Sequence, residues 1–286
     1  MSRRFRQVDV FGTSALGGNP VAVVLDAEGL STEDMVRFTA WTNLSECTFV
    51  LPPEDAAADY RVRIFAPGTE LPFAGHPTLG TARAWLDAGG VPRTPGVIVQ
   101  ECGVGLVQVR DKDGRLAFTA PELLRGGPVE DAYLQQVTEI LGIGPGDVVE
   151  SRWIDNGPGW VGVLLRDDRA VLDLAPDASR HPGRWDIGVL GPCALGSPDA
   201  FEVRAFFTDG AGPLWEDPVT GSLNASGSQW MIDTGRASLP FVNRQGTAMG
   251  RDGRIHLSGS AGHPGPDGTL WVGGTATVVF SGEFRG

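Results

Sequence analysis

Lysine is almost absent from the sequence, and its scarcity argues against two common kinds of chemistry. The only lysine, Lys112, lies in the segment Asp-Lys-Asp-Gly, which is typical of a solvated turn. A Schiff-base enzyme needs a buried or activated lysine, and a phosphate-binding loop of the G-x-x-x-x-G-K type needs one beside its glycines. No G-x-G-x-x-G segment follows a strand pattern either, so a dinucleotide-binding fold has no support.

Cysteines are few and widely spaced, at Cys47, Cys102 and Cys193. An odd, dispersed set predicts reduced thiols in a cytosol rather than a disulfide framework. Neither the cysteines nor the four histidines have the close spacing of a metal site. The N-terminus lacks the apolar stretch of a signal peptide, and no run of residues approaches a membrane span. We therefore expect a cytoplasmic protein that binds no metal and no membrane.

Positive charge is also in short supply, with 23 basic against 35 acidic residues and a net charge of −12. Because no basic patch stands out, nucleic acid is a poor candidate partner. The 286 residues, 41% of them hydrophobic, are enough for two domains, each with its own core. We predict domains at residues 1–118 and 119–286. Whether the last strand, about residues 275–286, pairs with the first domain stays open.

The sequence does contain a repeated motif. In the first half, a strand ending at Phe65 is followed by a loop and by His76-Pro77 at the predicted start of a helix. In the second half, Phe206 is followed at the same spacing by Asp217-Pro218 and another predicted helix. Helix N-termini attract anions through their N–H groups and the positive end of the dipole. If the two halves face each other across a cleft, His76 and Asp217 converge on one small carboxylate-bearing ligand.

The spacing of apolar residues predicts two helices among many short strands in each half, and the second of the two is the helix of the repeated motif. The predicted helices run through Met35 to Trp41 and over residues 78–86, 133–141 and 219–232. This pattern predicts an α+β fold in which a sheet curls around a central helix in each half. The strand runs are not each followed by a helix, which argues against a doubly wound parallel sheet.

Glu46 is the leading candidate for acid–base chemistry. It lies at a predicted corner between a helix and a strand, and its neighbours are uncharged. Desolvation in such surroundings raises the pKa of a carboxyl group and suits it to take and return a proton. An exposed glutamate at a helix end is the alternative explanation.

A hydrolytic triad of Ser222, His76 and Asp217 is a further alternative. No G-x-S-x-G segment occurs, however, so the sequence lacks the turn that presents a nucleophilic serine in many hydrolases. A serine in the first turn of a helix is better explained by anion binding.

Four segments, in this order along the chain, resemble the PhzF family of phenazine-biosynthesis isomerases: GNPVAV at 18–23, NLSE at 43–46, ELPFAGHPTLGTA at 70–82 and EDPVTGS at 216–222. The resemblance implies a fold like that of diaminopimelate epimerase. In that fold two similar domains each wrap a β-barrel-like sheet around a central helix, with the site between them. It also implies a homodimer that needs no metal or organic cofactor.

The resemblance also implies a role for each matching residue. The residue matching Glu46 moves a proton from C3 to C1 of trans-2,3-dihydro-3-hydroxyanthranilate in the phenazine enzyme. His76 and Asp217 match residues that act with it, and the remaining matches are expected to bind the substrate, namely Asn19, Ser45, Gly75, Gly221 and Ser222.

Some residues depart from the family pattern and leave the substrate open. Leu223-Asn224 replaces small residues, and Ala66–Thr69 varies from the usual loop start, both near the expected cleft. In related epimerases, two cysteines act from the helix N-termini. The expected residues here are His76 and Asp217, which argues against a two-cysteine racemase. Three functions remain open: an isomerase using Glu46, an amino-acid epimerase of the same fold, and a binding protein on this scaffold.

Overall fold

The computed structural model describes residues 2–208, 213–259 and 269–285. The chain divides into two compact units, the first formed by residues 1–119 and 273–286 and the second by residues 120–272. Both contain more strand than helix, which confirms the α+β class predicted from the sequence. Within the described ranges, every helix is too short or too polar to cross a membrane.

The elements up to residue 119 are β1 (Ser2–Val10), β2 (Asn19–Val24), α1 (Thr32–Thr42), β3 (Cys47–Leu51), β4 (Tyr60–Ala66), β5 (Thr69–Leu71), α2 (Gly75–Asp87), β6 (Val97–Cys102), β7 (Gly105–Lys112) and β8 (Arg115–Thr119). Those that follow are β9 (Arg125–Gly127), α3 (Asp131–Leu141), β10 (Val148–Asp155), β11 (Val161–Leu165), α4 (Asp168–Leu172), β12 (Asp186–Pro192), β13 (Phe201–Phe207), β14 (Trp215–Asp217), α5 (Gly221–Asp233), β15 (Phe241–Gln245), β16 (Gly253–Ser258), β17 (Trp271–Gly274) and β18 (Ala276–Arg285). Two single-turn 3-10 helices, Pro145–Asp147 and Thr247–Met249, also occur in the described ranges.

The strands of the first unit form a mixed sheet in which the last strand of the chain pairs with the first. β18 runs antiparallel to β1, with Arg285 opposite Ser2 and Ala276 opposite Val10. β2 is antiparallel to β1, β3 parallel to β2, β4 antiparallel to β3 and β6 parallel to β4. β7 and β8 extend the sheet by antiparallel hairpins. The first unit therefore takes one of its strands from the far end of the sequence.

Helix α2 lies at the centre of the first unit. It packs against β1, β2, β3, β6, β7, β8 and β18, and nine of its 13 residues are buried. Strands can approach on so many sides because the buried face consists largely of small residues, including Gly80, Ala82 and Ala84. The helix predicted at residues 78–86 is confirmed, and it begins earlier, at Gly75.

The second unit follows the same order of strand pairings. β11 is antiparallel to β10, β12 parallel to β11, β13 antiparallel to β12, β15 parallel to β13 and β16 antiparallel to β15. Helix α5 packs against β10, β12 and β16, and nine of its 13 residues are buried. Each unit therefore places one buried helix of the same length against its sheet.

Gly80 offers a direct test of the close packing around α2. A Cβ atom at this position would lie 2.2 Å from Cγ1 of Val21 and 3.2 Å from Cγ2 of Val10. We expect Gly80→Ala to lower the free energy of unfolding by about 1 to 3 kcal/mol, as overpacking of a core does. Urea denaturation measures this, with Gly282→Ala as the control because no atom lies within 4 Å of the added Cβ there. Equal stability of the two variants would show that Gly80 is not closely packed against Val21 and Val10.

Candidate active site

The first group of candidate residues lies in the first unit, where α1 ends and β3 begins. The Ser31 hydroxyl caps the start of α1 by accepting a hydrogen bond from the Asp34 N–H. The helix ends at Asn43, whose φ of 57° lies in the left-handed region that asparagine tolerates better than most residues. The chain then enters β3 at Cys47. Glu46 is therefore held at the corner immediately before a buried strand.

The side chains of Glu46 and His76 lie next to each other in the first unit. Oε2 of Glu46 lies 3.5 Å from Nε2 of His76. Only 19% of the Glu46 side chain and 5% of the His76 side chain are exposed. His76 is the second residue of α2 and not a residue before the helix, because α2 begins at Gly75 after an extended N-cap at Ala74.

The surroundings of Glu46 change its acidity. Burial raises the pKa of Glu46 to about 7, and a hydrogen bond from the Ser45 side chain opposes this shift. At neutral pH such a group is present as both acid and carboxylate in comparable amounts. It can therefore take a proton from a substrate and return it at the same pH, which is the requirement for general acid–base catalysis.

Asn19, the first residue of β2, contacts the other side of the His76 ring. Its Nδ2 lies 3.4 Å from Nδ1 of His76, and the asparagine is 1% exposed. The preceding residue is anchored because both carboxylate oxygens of Asp9 accept from the Gly18 N–H, at 3.0 and 3.1 Å. Gly18 must lack a side chain, since a Cβ would lie 2.1 Å from the Val10 carbonyl oxygen. The backbone immediately before Asn19 is thus held by contacts with Asp9 and Val10.

Buried hydrogen bonds hold the first turn of α2 in place. Tyr60 donates to Oε1 of Gln100 at 3.1 Å, and Nε2 of Gln100 donates to the Thr78 hydroxyl at 3.0 Å. One turn later, the Thr81 hydroxyl lies 2.8 Å from the Thr48 hydroxyl. These contacts connect the N-terminal turn of α2, which contains His76, to β3, β4 and β6.

The cysteine beside Glu46 is poorly suited to proton transfer. Sγ of Cys47 lies 3.2 Å from Oγ1 of Thr42, and burial raises the pKa of the Cys47 thiol to about 11. Burial likewise raises the pKa of Cys193 to about 11. Both thiols are therefore protonated at neutral pH, whereas a thiol that acts as a base must ionise.

The second group of candidate residues lies in the second unit, at the start of α5. Asp217 ends β14, and its Oδ2 accepts a hydrogen bond from the Thr220 hydroxyl at 2.6 Å. The N-cap of α5 is Thr220, three residues after Asp217, so Asp217 lies before the helix and not at its start. Gly221 and Ser222 are the first two residues of the helix.

The register of the sequence repeat also needs correction. In both units the second residue of a buried helix is a candidate site residue, and the pair is His76 and Ser222 rather than His76 and Asp217. The reason is loop length: two residues separate β4 from β5, but seven, 208–214, separate β13 from β14. The extra five residues shifted the sequence alignment, so Asp217 corresponds to Leu71.

Ion pairs of the short hairpins support this corrected register. Glu70 lies opposite Phe65 on β4 and pairs with Arg63 at 2.6 Å. Glu216 lies opposite Phe206 on β13 and pairs with Arg204 at 2.7 Å. In each unit the arginine is two residues before the phenylalanine on the longer strand. The segments Glu70–His76 and Glu216–Ser222 therefore match without a gap.

A buried amide network explains one departure from the family pattern. Asn224 is fully buried, and its Nδ2 donates to Oε1 of Gln245 at 2.7 Å and to the Thr220 carbonyl oxygen at 2.9 Å. Its Oδ1 accepts from Asn243 at 3.0 Å. Leu223 is equally buried and packs in the core around α5. This departure therefore concerns packing inside the second unit and not the lining of a ligand site.

Sequence reasoning missed the residues that hold Ser222. Nε1 of Trp160 donates to the Ser222 hydroxyl at 3.0 Å, and Nδ2 of Asn156 donates to the Ser222 carbonyl oxygen at 2.9 Å. Both belong to the turn between β10 and β11. A tryptophan at the end of the glycine-rich segment NGPGW was the available signal, because indole N–H groups that become buried usually find a partner.

The Trp160–Ser222 hydrogen bond can be measured with a double-mutant cycle. Trp160→Phe and Ser222→Ala each remove one partner, so we expect their effects on unfolding free energy to be non-additive by about 1 kcal/mol. Urea denaturation of the two single variants and the double variant gives the coupling. The control is a second cycle that combines Trp185→Phe with Ser222→Ala. Its effects should be additive, because Nε1 of Trp185 donates to the His181 carbonyl oxygen and not to Ser222. Additivity in the first pair would show that the contact contributes nothing.

The described structure thus brings the candidate residues together in two groups. Asn19, Ser45, Glu46, Gly75 and His76 lie together in the first unit, and Asp217, Gly221 and Ser222 in the second. Among the described residues, no three or more histidine, cysteine or acidic side chains are arranged to hold a metal ion.

Comparison with known proteins gives a consistent result over nearly the whole chain. The family model described as phenazine biosynthesis-like protein matches residues 8–282. The chain is 35% identical to antisense-enhancing sequence 1 of Schizosaccharomyces pombe, covering 98% of this chain and 97% of the relative. It is 33% identical to trans-2,3-dihydro-3-hydroxyanthranilate isomerase of Pseudomonas aeruginosa, covering 88% and 89%. A crystal structure of a PhzF-family protein from Bacillus anthracis superposes with a TM-score of 0.81 at 21% identity, covering 100% and 99% of the two chains.

Proposed function

The chain belongs to the phenazine biosynthesis-like PhzC-PhzF family, and we propose that it is an isomerase that moves a proton within a small carboxylate-bearing substrate. The observation on which this proposal depends is the pairing of Glu46 with His76, together with a Glu46 pKa of about 7. A relative bears the name trans-2,3-dihydro-3-hydroxyanthranilate isomerase. That compound is a cyclic amino acid with unsaturation, and it is our first candidate substrate.

In the proposed reaction, ionised Glu46 removes a proton from a carbon next to an unsaturated group. The C–H bond breaks, its electron pair delocalises into the neighbouring double bond, and an O–H bond forms on Glu46. The protonated Glu46 then returns the proton to a different carbon, so that the double bond moves and Glu46 regains its charge. General acid–base catalysis of this kind contributes about 10²- to 10⁴-fold in rate.

The other candidate residues would bind and orient the substrate. A hydrogen bond from His76 would stabilise the charge on Glu46 and on the delocalised intermediate. Ser222 and the N–H groups of Gly75 and Gly221 would hold the carboxylate, because the first N–H groups of a helix have no acceptor within the helix. Asp217 would orient a substrate amine or hydroxyl. The proposal includes an internal duplication of the chain, which the matching segments and the equal order of strand pairings in the two units support.

The test is proton transfer in D₂O, followed by ¹H NMR with trans-2,3-dihydro-3-hydroxyanthranilate and a panel of cyclic and aromatic-precursor acids. We expect protein-dependent loss of one C–H signal and its appearance on another carbon, with part of the original hydrogen retained because one carboxyl group returns it. Almost complete incorporation of deuterium would instead indicate an epimerase that uses two bases. Binding without any exchange would indicate a non-catalytic protein and overturn the proposal.

A further inference from the structure

Asn19 lies where it can determine which nitrogen of His76 bears the proton. We infer that Asn19 is a positioning residue that holds His76 as a neutral ring protonated on Nε2, so that its N–H points at Glu46. This inference rests on the proposed function for its role in the reaction. It assigns Asn19 a task different from lining the substrate, which is the task the family resemblance implies.

The donors and acceptors on the two sides of the His76 ring determine which ring nitrogen bears the proton. The side-chain nitrogen of asparagine is a donor only, and it lies 3.4 Å from Nδ1 of His76. A ring nitrogen that receives this hydrogen bond has no proton of its own. In a neutral imidazole the proton is then on Nε2, the nitrogen that lies 3.5 Å from Oε2 of Glu46.

The opposite amide orientation gives a poorer arrangement for proton abstraction. With the Asn19 oxygen facing Nδ1, the ring proton would move to Nδ1 and the Nε2 lone pair would face Glu46. An ionised Glu46 would then meet a lone pair instead of a donor. Only the first arrangement lets His76 offer a hydrogen bond to the carboxylate form of Glu46, which is the form that removes a proton from the substrate.

The first arrangement also opposes a positively charged His76. An imidazolium has a proton on both nitrogens, so its Nδ1–H would point at the Asn19 N–H group. Asn19 is 1% exposed, and it follows Gly18, whose N–H donates to both carboxylate oxygens of Asp9. A neutral His76 leaves the buried Glu46 without a cation beside it, which agrees with the raised pKa of Glu46.

The other titratable groups near the start of α2 are compatible with a neutral ring. On β3, Cys47 contacts Thr42 and its thiol is protonated at neutral pH. On β4, Tyr60 is bonded to Gln100, and burial raises its pKa further above the ordinary value. On β1, the Asp9 carboxylate accepts from Gly18. Oε2 of Glu46 lies 3.5 Å from Nε2 of the ring.

The protonation state can be read directly from the unmodified protein, with no substrate. Histidine labelled with ¹⁵N gives long-range ¹⁵N–¹H correlations that distinguish protonated from unprotonated ring nitrogens, and His76→Gln identifies the His76 signals by their loss. At pH 7.5 we expect a protonated Nε2 and an unprotonated Nδ1. A protonated Nδ1, alone or together with Nε2, would overturn the inference.

Asn19→Asp provides a second readout. A carboxylate facing Nδ1 would accept a proton there and favour the imidazolium, so Glu46 would face a cation and its pKa would fall by about 1 to 3 units. Titration of the Glu46 side-chain ¹³C signal measures the change, and Asn243→Asp is the control because it adds a buried carboxylate in the second unit. An unchanged Glu46 pKa in folded Asn19→Asp protein would count against the positioning role. Neither readout needs turnover, so failure of the proposed isomerase activity is detected separately.

Discussion

Glu46→Gln should lower the rate of proton transfer by about 10²- to 10⁴-fold or more while leaving the fold unchanged. Glutamine has the size and shape of the protonated glutamate and can keep the contact with His76, but it cannot accept a proton from carbon. The fold should persist because burial disfavours the charged form of Glu46, so a neutral side chain at this corner removes a cost. The NMR assay in D₂O measures the rate, and circular dichroism checks the fold.

An exposed glutamate on the neighbouring helix provides the comparison. Glu33→Gln changes the same functional group in the first turn of α1, and we expect it to keep the full rate. If folded Glu46→Gln retained more than about a tenth of the wild-type rate, Glu46 could not be the main proton carrier.

The free energy of unfolding of the wild type, measured relative to that of Glu46→Gln, should fall as the pH rises from about 4.5 to about 7. The pKa of Glu46 is raised from 4.5 to about 7, so in this window the folded state retains a proton that the unfolded chain has lost. Unfolding therefore becomes easier as pH rises, by about 1.4 kcal/mol per pH unit. The stabilisation is complete below pH 4.5, and about 3 kcal/mol is lost once the pH passes 7.

Urea denaturation at several pH values measures this effect, with wild type and Glu46→Gln compared at each pH. Taking the difference between the two proteins cancels the titration of all other groups that both contain. A difference that stays constant, or that favours the wild type as the pH rises, would show that the pKa of Glu46 is not raised in the folded protein.

Much of the fold could be predicted because its helices and longer strands follow apolar periodicity. The sequence pattern does not predict β12 and β15, and the reason is physical in each case. β12 contains Gly188, which reads as a loop residue, but a Cβ there would lie 2.1 Å from Cδ1 of Leu223 on α5. β15 contains Asn243 and Gln245, which read as surface residues, yet both are fully buried in the amide network with Asn224. Glycine and amide residues occur in these two strands because α5 packs closely against Gly188 and hydrogen-bonds to Asn243 and Gln245.

The sequence indicated the candidate residues, but it did not indicate the contacts that they make. Glu46, His76 and Ser222 were chosen because each lies in a short segment that matches a motif of the family. The prediction that His76 and Asp217 occupy equivalent positions in the repeat was wrong. The second unit has a longer loop between its hairpin strands, so equal spacing in sequence does not correspond to equal positions in the structure. The contacts of Trp160 with Ser222 and of Asn19 with His76 join distant segments, and no local pattern reports them.

The pairing of β18 with β1 has a consequence for the order of events during synthesis. Domains generally fold as they leave the ribosome, the N-terminal one first. In this chain the second unit is contiguous in sequence. In the first unit, β1 and α2 can make their contacts with β18 only after the end of the chain has been synthesised. The same holds for Phe38 of α1, whose ring centroid lies 4.8 Å from that of Phe284. We therefore expect the second unit to be complete before the first, the reverse of their order in the sequence.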